Sequence, residues 1–155
     1  MRKIVAIAAG GDSAEVEISL LSAQTIYENL DRSKYEGILV KMVKGKWEAI
    51  INNESYPINK NDFSFQFEGK KIKFEYVFMM IHGTPGEDGK LQGYFDMLGI
   101  PYNTSSAATT ALTFQKFHCN QFLKNFGINV AEAVLIKAGE QPNIDEIVDK
   151  VALPC

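Results

Sequence analysis

The chain has 155 residues, and 16 basic against 19 acidic side chains leave a formal charge of -3, so nothing draws it to a nucleic-acid backbone. A hydrophobic fraction of 46% is that of a soluble globule with one domain, or one domain and a piece of another. No apolar run reaches the roughly 18 residues of a membrane span, and Cys119 and Cys155 follow neither a zinc nor a disulfide spacing, which fits a reducing compartment.

Met1-Arg2-Lys3 before an apolar run resembles a secretory start, but Gly10-Gly11-Asp12 cuts the run short. The pattern predicts a first strand over 3–9, apolar throughout and therefore central. A tight turn, Gly10 to Glu15, leads into a helix with Val16, Leu20, Ala23, Ile26 or Tyr27, and Leu30 on its buried stripe. Asp12 or Ser13 is its expected cap, with Glu15 in or just before the first turn. A strand over 35–42 completes a right-handed strand, helix, strand unit.

From 43 to 74 the character changes. Short stretches at 46–51, 62–67 and 71–74, separated by turn formers such as Lys44-Gly45, Asn52-Asn53 and Glu68-Gly69, predict an antiparallel ribbon insertion that serves as scaffold. Phe63, Phe65 and Phe67 alternate on one face, expected to pack against a helix.

The run Tyr76-Val77-Phe78-Met79-Met80-Ile81 is apolar throughout and reads as a central strand buried on both faces. It ends at His82, where Gly83, Pro85, Gly86 and Gly89 let the chain turn. Asp88 is placed to cap a helix with Leu91, Tyr94 or Phe95, and Leu98 at helical spacing. A polar, glycine-rich turn after a parallel strand is where open α/β sheets place ligands. A short strand over 100–103 comes next, then helix-compatible sequence over 106–126 with a break near Thr113. Beyond it come a strand over 131–137, a turn at Gly139-Glu140-Gln141-Pro142, a helix to about Lys150, and an apolar end, 151–155, entering another strand. The segment from 104 onward, about 50 residues, is short for a core of its own. The expectation is a complete first domain, 1–103, and an incomplete second one, 104–155.

Each candidate site residue has two readings. The first loop is neither a G-x-G-x-x-G fingerprint nor a P-loop. Glu15 could hold a ligand ammonium, or could merely complement a helix dipole. His82 could offer a donor to an anionic or carbonyl oxygen or carry a proton, or its ring could be fixed by a backbone carbonyl. Glu87 and Asp88 could orient His82 or a loop amide, or be a cap and a solvated face; with no H-E-x-x-H spacing they make a poor metal site. Lys116 could meet a phosphate or be a surface lysine.

Considered together, the runs Gly10-Gly11-x-Ser13-x-Glu15-x-x-x-Ser19-x-x-Ser22-Ala23, His82-Gly83-x-x-Gly86-Glu87-Asp88-Gly89-x-x-Gln92-Gly93 and Ile100-Pro101-Tyr102 resemble the amino-terminal part of D-alanine-D-alanine ligases. The resemblance covers nearly the whole chain but about half of a family member. It implies a Rossmann-like pre-ATP-grasp α/β domain with a β-ribbon insertion, followed by an incomplete ATP-grasp α+β subdomain. It further implies a cytoplasmic bacterial enzyme that joins two D-alanines for peptidoglycan, using ATP and Mg2+ or Mn2+, and dimerises through this region. Glu15 matches the catalytic glutamate that holds the first D-alanine's ammonium, and Ser13 belongs to the same loop. His82 matches a histidine near the substrate carboxylates, Glu87 and Asp88 lie in the loop shaping that side, and Lys116 matches a lysine on the ATP phosphates.

Val16 stands where the family often has histidine, Gln115 where an aspartate is common, and Asn120 where a lysine is usual. The family's phosphate flap, metal ligands and catalytic arginine would lie beyond residue 155, so the 155 residues alone are expected not to ligate. A D-alanine-D-lactate or D-alanine-D-serine ligase and a non-catalytic binding module are the rival readings.

Overall fold

A computed structural model of the chain describes residues 2–151. It contains two compact units, one up to Ala111 and the other from Leu112 onward. In the first unit β1 (Lys3–Gly10), α1 (Val16–Asn29) and β2 (Tyr35–Val43) form the expected crossover, with β1 and β2 parallel from Lys3 opposite Tyr35 to Gly10 opposite Met42. The ribbon continues as β3 (Lys46–Ile51) and β4 (Glu54–Pro57), antiparallel to their predecessors, then a separate hairpin of β5 (Ser64–Phe67) and β6 (Lys70–Lys73). Next come β7 (Tyr76–Met79) and α2 (Lys90–Leu98). The sheet order is β4-β3-β2-β1-β7, so β1, the most buried strand, lies between the two parallel partners.

The two sheet faces are covered differently. Ile7 and Ala9 pack with Ala23 of α1 on one face. The other carries Ala6, Ala8, Val40, Val77 and Met79 against Leu91 and Phe95 of α2 and the phenylalanines of the hairpin region. Phe63 and Phe65 are buried and Phe67 is half-buried, and the Phe63 ring meets Phe95 edge-on with centroids 4.9 Å apart. Of the expected stripe, Phe63 packs against a helix and bolts the ribbon onto α2, whereas the ring contacts of Phe65 and Phe67 are with Tyr56 of β4 and, for Phe65, with Phe74.

Several expectations are corrected. Strand β7 stops at Met79 and lies outside β1 rather than at the centre, because the segment on its outer side, Pro101 to Asn103, is too short to be a strand. Pro101 O accepts from Val77 N at 2.9 Å, Tyr102 makes one parallel bridge, and the Asn103 side-chain oxygen accepts from Met79 N at 2.7 Å. An asparagine side chain thus stands in for the next rung. Strand β4 forms where the sequence suggested no strand, because Glu54 to Pro57 can pair with β3.

The expected cap of α1 is not made: Glu15 is the residue before it and makes no side-chain cap hydrogen bond, while Asp12 and Ser13 are drawn to partners in the loops beyond the strand ends. Gly89, at φ 86°, is the residue before α2, and Asp88 reaches past it, its Oδ1 accepting from Lys90 N at 3.4 Å while its Oδ2 is held in the loop.

In the second unit α4 (Lys116–Asn125) succeeds α3 (Ala107–Phe114), which crosses the boundary at 111, with the break at Gln115. The stretch 131–137 forms no strand, since no other strand exists among the described residues of this unit to take its backbone hydrogen bonds. Helix α5 (Ile144–Val151) ends the described chain. The strand expected after it, over 152–155, lies outside the described residues.

Truncating Phe95 should cost the first unit about 3 to 5 kcal/mol, as for a buried aromatic removed without collapse. Urea unfolding followed by Trp47, the only tryptophan, checks this; an unchanged midpoint for Phe95→Ala contradicts the packing described.

Candidate functional site

The parallel pair β1 and β7 ends in two loops on the same side of the sheet. Met80 N donates to Ala8 O at 2.8 Å, the last rung between them. Beyond it the loops bind each other directly. Ser13 Oγ donates to His82 O at 2.9 Å, and Asp12 N donates to Thr84 O at 2.9 Å. The first loop is also tied to the end of β2, through Gly11 N to Met42 O at 2.7 Å and Lys44 N to Asp12 Oδ1 at 2.6 Å.

Glycine is needed where the loops touch. Gly11 has φ +94°, and a Cβ there would sit 2.8 Å from Ile81 Cγ2 and 3.2 Å from Thr84 O. Gly83, at φ +70°, would bring a Cβ to 2.9 Å from Ser13 Cβ. Any side chain at either place forces the loops apart.

The second loop is braced from within. Glu87 Oε2 accepts from Gly83 N at 2.8 Å. Asp88 Oδ2 accepts from Thr84 Oγ1 at 2.6 Å and from Lys90 Nζ at 2.5 Å, across the cis Thr84-Pro85 bond. Burial raises the Asp88 carboxyl's pKa, but the hydrogen bonds from Lys90 and Thr84 outweigh it and leave the group below the usual carboxylate value. Glu87 and Asp88 are therefore occupied in shaping the loop. The carboxylate of Glu15 and the ring of His82, by contrast, carry no hydrogen bond or ion pair among the described residues; Glu15 is exposed and His82 half-buried.

Of the sequence-predicted residues, the structure brings Ser13, Glu15, His82, Glu87 and Asp88 into these joined loops. Lys116 belongs to the second unit, where it is exposed at the first position of α4 and pairs with no carboxylate among the described residues. No group of three or more His, Cys, Asp or Glu side chains among the described residues could hold a metal ion.

Two residues of the site stand in the sequence runs but were given no role there. Ser19 is fully buried; its Oγ accepts from Gly10 N at 2.9 Å and donates to Met80 O at 2.6 Å. Gln92 is also fully buried, and its Nε2 donates to Gly86 O at 2.6 Å and Thr104 Oγ1 at 3.0 Å. The available signal was a polar residue falling on each helix's apolar stripe, next to Leu20 and Leu91.

An open mixed sheet in which the glycine-rich loops after two neighbouring parallel strands bind one another is the architecture of the α/β domain that precedes an ATP-grasp fold. A family model described as the D-ala D-ala ligase N-terminus matches residues 4–105. The chain belongs to the D-alanine-D-alanine ligase family, of which it carries the amino-terminal domain. It is 47% identical to a D-alanine-D-alanine ligase of Phocaeicola vulgatus and 44% identical to one of Bacteroides thetaiotaomicron, covering 100% of this chain and 48% of each relative. The chain thus spans about half the length of the curated relatives it matches. Among solved structures it is similar to the D-alanine-D-alanine ligase of Coxiella burnetii, with TM-score 0.74 and 29% identity over 84% of this chain and 43% of that one. It is also similar to the VanG D-Ala:D-Ser ligase of Enterococcus faecalis, with TM-score 0.74 and 28% identity over 85% and 44%.

Asp88's lowered pKa makes the brace sensitive to acid. A carboxylate whose folded pKa lies below its unfolded value of about 3.9 stabilises the fold above that value and loses the contribution as pH falls through the folded pKa. Asp88→Asn should cost about 1 kcal/mol at pH 7, and the two proteins should converge in stability below about pH 4. Urea midpoints across that range check it; a difference that persists undiminished at pH 2 contradicts the assignment.

Proposed function

We propose that this chain is the first-amino-acid half of an ATP-dependent enzyme that ligates two D-alanines for peptidoglycan. The observation that supports it best is the joined pair of loops, which leaves Glu15 and His82 open while engaging the polar groups around them, in a chain with 44–47% identical relatives of that name.

The chemistry rests on the charges. A D-alanine zwitterion offers an ammonium and a carboxylate. Glu15, an unpaired acid at the start of α1, receives the ammonium through charge-assisted hydrogen bonds worth about 1.5 to 3 kcal/mol. His82 offers a ring donor toward the carboxylate, Ser13 ties the first loop to the second, and Glu87 braces the second from within. ATP with Mg2+ or Mn2+ supplies activation of that carboxylate for attack by the second amine. Lys116, unpaired at the first turn of a helix, suits a phosphate contact, where its charge adds to that of the backbone N–H groups. The second amino acid is taken as D-alanine rather than D-serine because relatives 44–47% identical to this chain carry that name.

Titration of the chain with D-alanine by calorimetry or NMR tests the reading. Saturable binding that shifts the Glu15 and His82 signals is expected, with Glu15→Gln weaker by about 10- to 100-fold. No binding by the unaltered chain, or equal binding by the variant, overturns it.

The reading includes a cytoplasmic homodimer joined through this domain. Ile18 and Leu21 on the outer side of α1 are 56% and 70% exposed, an apolar pair for a symmetry mate to cover. Sedimentation should show a dimer that Leu21→Glu dissociates; a monomer at tens of micromolar for the unaltered chain counts against it.

A further inference from the structure

We infer that Ser19 is a positioning residue whose hydroxyl acts as a spacer in the sheet, setting the gap between the Glu15 loop and the His82 loop. The inference rests on the proposed binding role of those loops, but its geometric part stands without it.

In a parallel pair the ladder hydrogen bonds alternate evenly from strand to strand, so after Met80 N donates to Ala8 O the next bond would run from Gly10 N to Met80 O. That bond is replaced. Ser19 Oγ accepts from Gly10 N at 2.9 Å and itself donates to Met80 O at 2.6 Å, so one oxygen atom is inserted into the rung. Both strands keep satisfied backbone groups while their ends are held one hydroxyl further apart. Ser19 can do this because it is fully buried one turn into α1, where Ser19 N donates to Glu15 O at 3.0 Å. The helix that carries the hydroxyl is therefore the one whose start presents Glu15.

The consequence is specific. His82 lies two residues after Met80 and Gly10 begins the turn to Glu15, so the inserted oxygen sits at the base of both loops. Further out, Ser13 Oγ to His82 O and Asp12 N to Thr84 O fix the tips. Without the hydroxyl the strands can close and make the direct Gly10 N to Met80 O bond. Such a change heals the ladder at small cost in stability and moves the loops relative to one another. A role confined to stability predicts the opposite balance.

The test uses the whole chain as Ser19→Ala, with Ser19→Thr, which keeps the hydroxyl, as the conservative rescue. NMR should show a scalar coupling across a direct Gly10 N to Met80 carbonyl hydrogen bond in the alanine variant and none in the unaltered chain. D-alanine affinity should fall at least about tenfold in Ser19→Ala and return in Ser19→Thr, with the urea midpoint moved little. If the alanine variant does not fold in buffer alone, it is measured with a stabilising osmolyte, with the same outcomes expected. Unchanged D-alanine affinity in the alanine variant, or no direct coupling there, overturns the inference. If the unaltered chain binds no D-alanine, the reading of function fails, and the coupling alone then decides whether Ser19 spaces the strands.

Discussion

Two glycine-rich turns far apart in the chain can form one site only because the strands they leave, β1 and β7, lie side by side, run parallel and end together. That adjacency is the constraint on which the remaining structure depends. A single bridge from Tyr102 and the side chain of Asn103 cover the outer side of β7, so most of what holds the strand comes from its two faces. Val77 and Met79 on one face are packed by α2 and the aromatic residues of the ribbon, and Phe78 and Met80 lie with the α1 cluster on the other. The ribbon thus serves the site at a distance by keeping an outer strand in place.

Polar side chains around the loops divide into two groups. Asp12, Ser13, Thr84, Glu87 and Asp88 spend their hydrogen bonds on backbone or on one another. Glu15 and His82 do not. A ligand arriving at such a site finds the loops already ordered, so little conformational entropy remains to be lost on binding. The acid at the start of α1 can accept hydrogen bonds and the ring after β7 can donate one.

Much of this was legible in the sequence, because it rests on local signals. The apolar runs of β1 and β2, the ribbon's turn formers, the α2 stripe and the two loop motifs each declare themselves within a few residues. The features that escaped were decided by partners distant in the chain. A purely apolar run cannot say whether it lies inside a sheet or outermost, and Tyr76 to Met79 is outermost because, among the described residues, only Tyr102 pairs beyond it. Residues 131–137 have strand composition but, among the described residues of their unit, no strand to pair with. Asp12 and Ser13 look like caps by type and position but found partners in other loops, and Asp88 divides its oxygens between its own loop and the start of α2. Ser19 and Gln92 were hidden for the same reason, since a buried polar residue acquires meaning only from the backbone groups it meets.

The most direct measurement is a crystal structure of the chain grown with D-alanine. The account predicts one molecule bridging the loops, its ammonium on the Glu15 carboxylate and its carboxylate toward the His82 ring, with the Ser13 to His82 and Asp12 to Thr84 hydrogen bonds retained. D-alanine bound elsewhere, or bound only after those two hydrogen bonds have broken and the loops have separated, would contradict the claim that the paired loops are a preformed site.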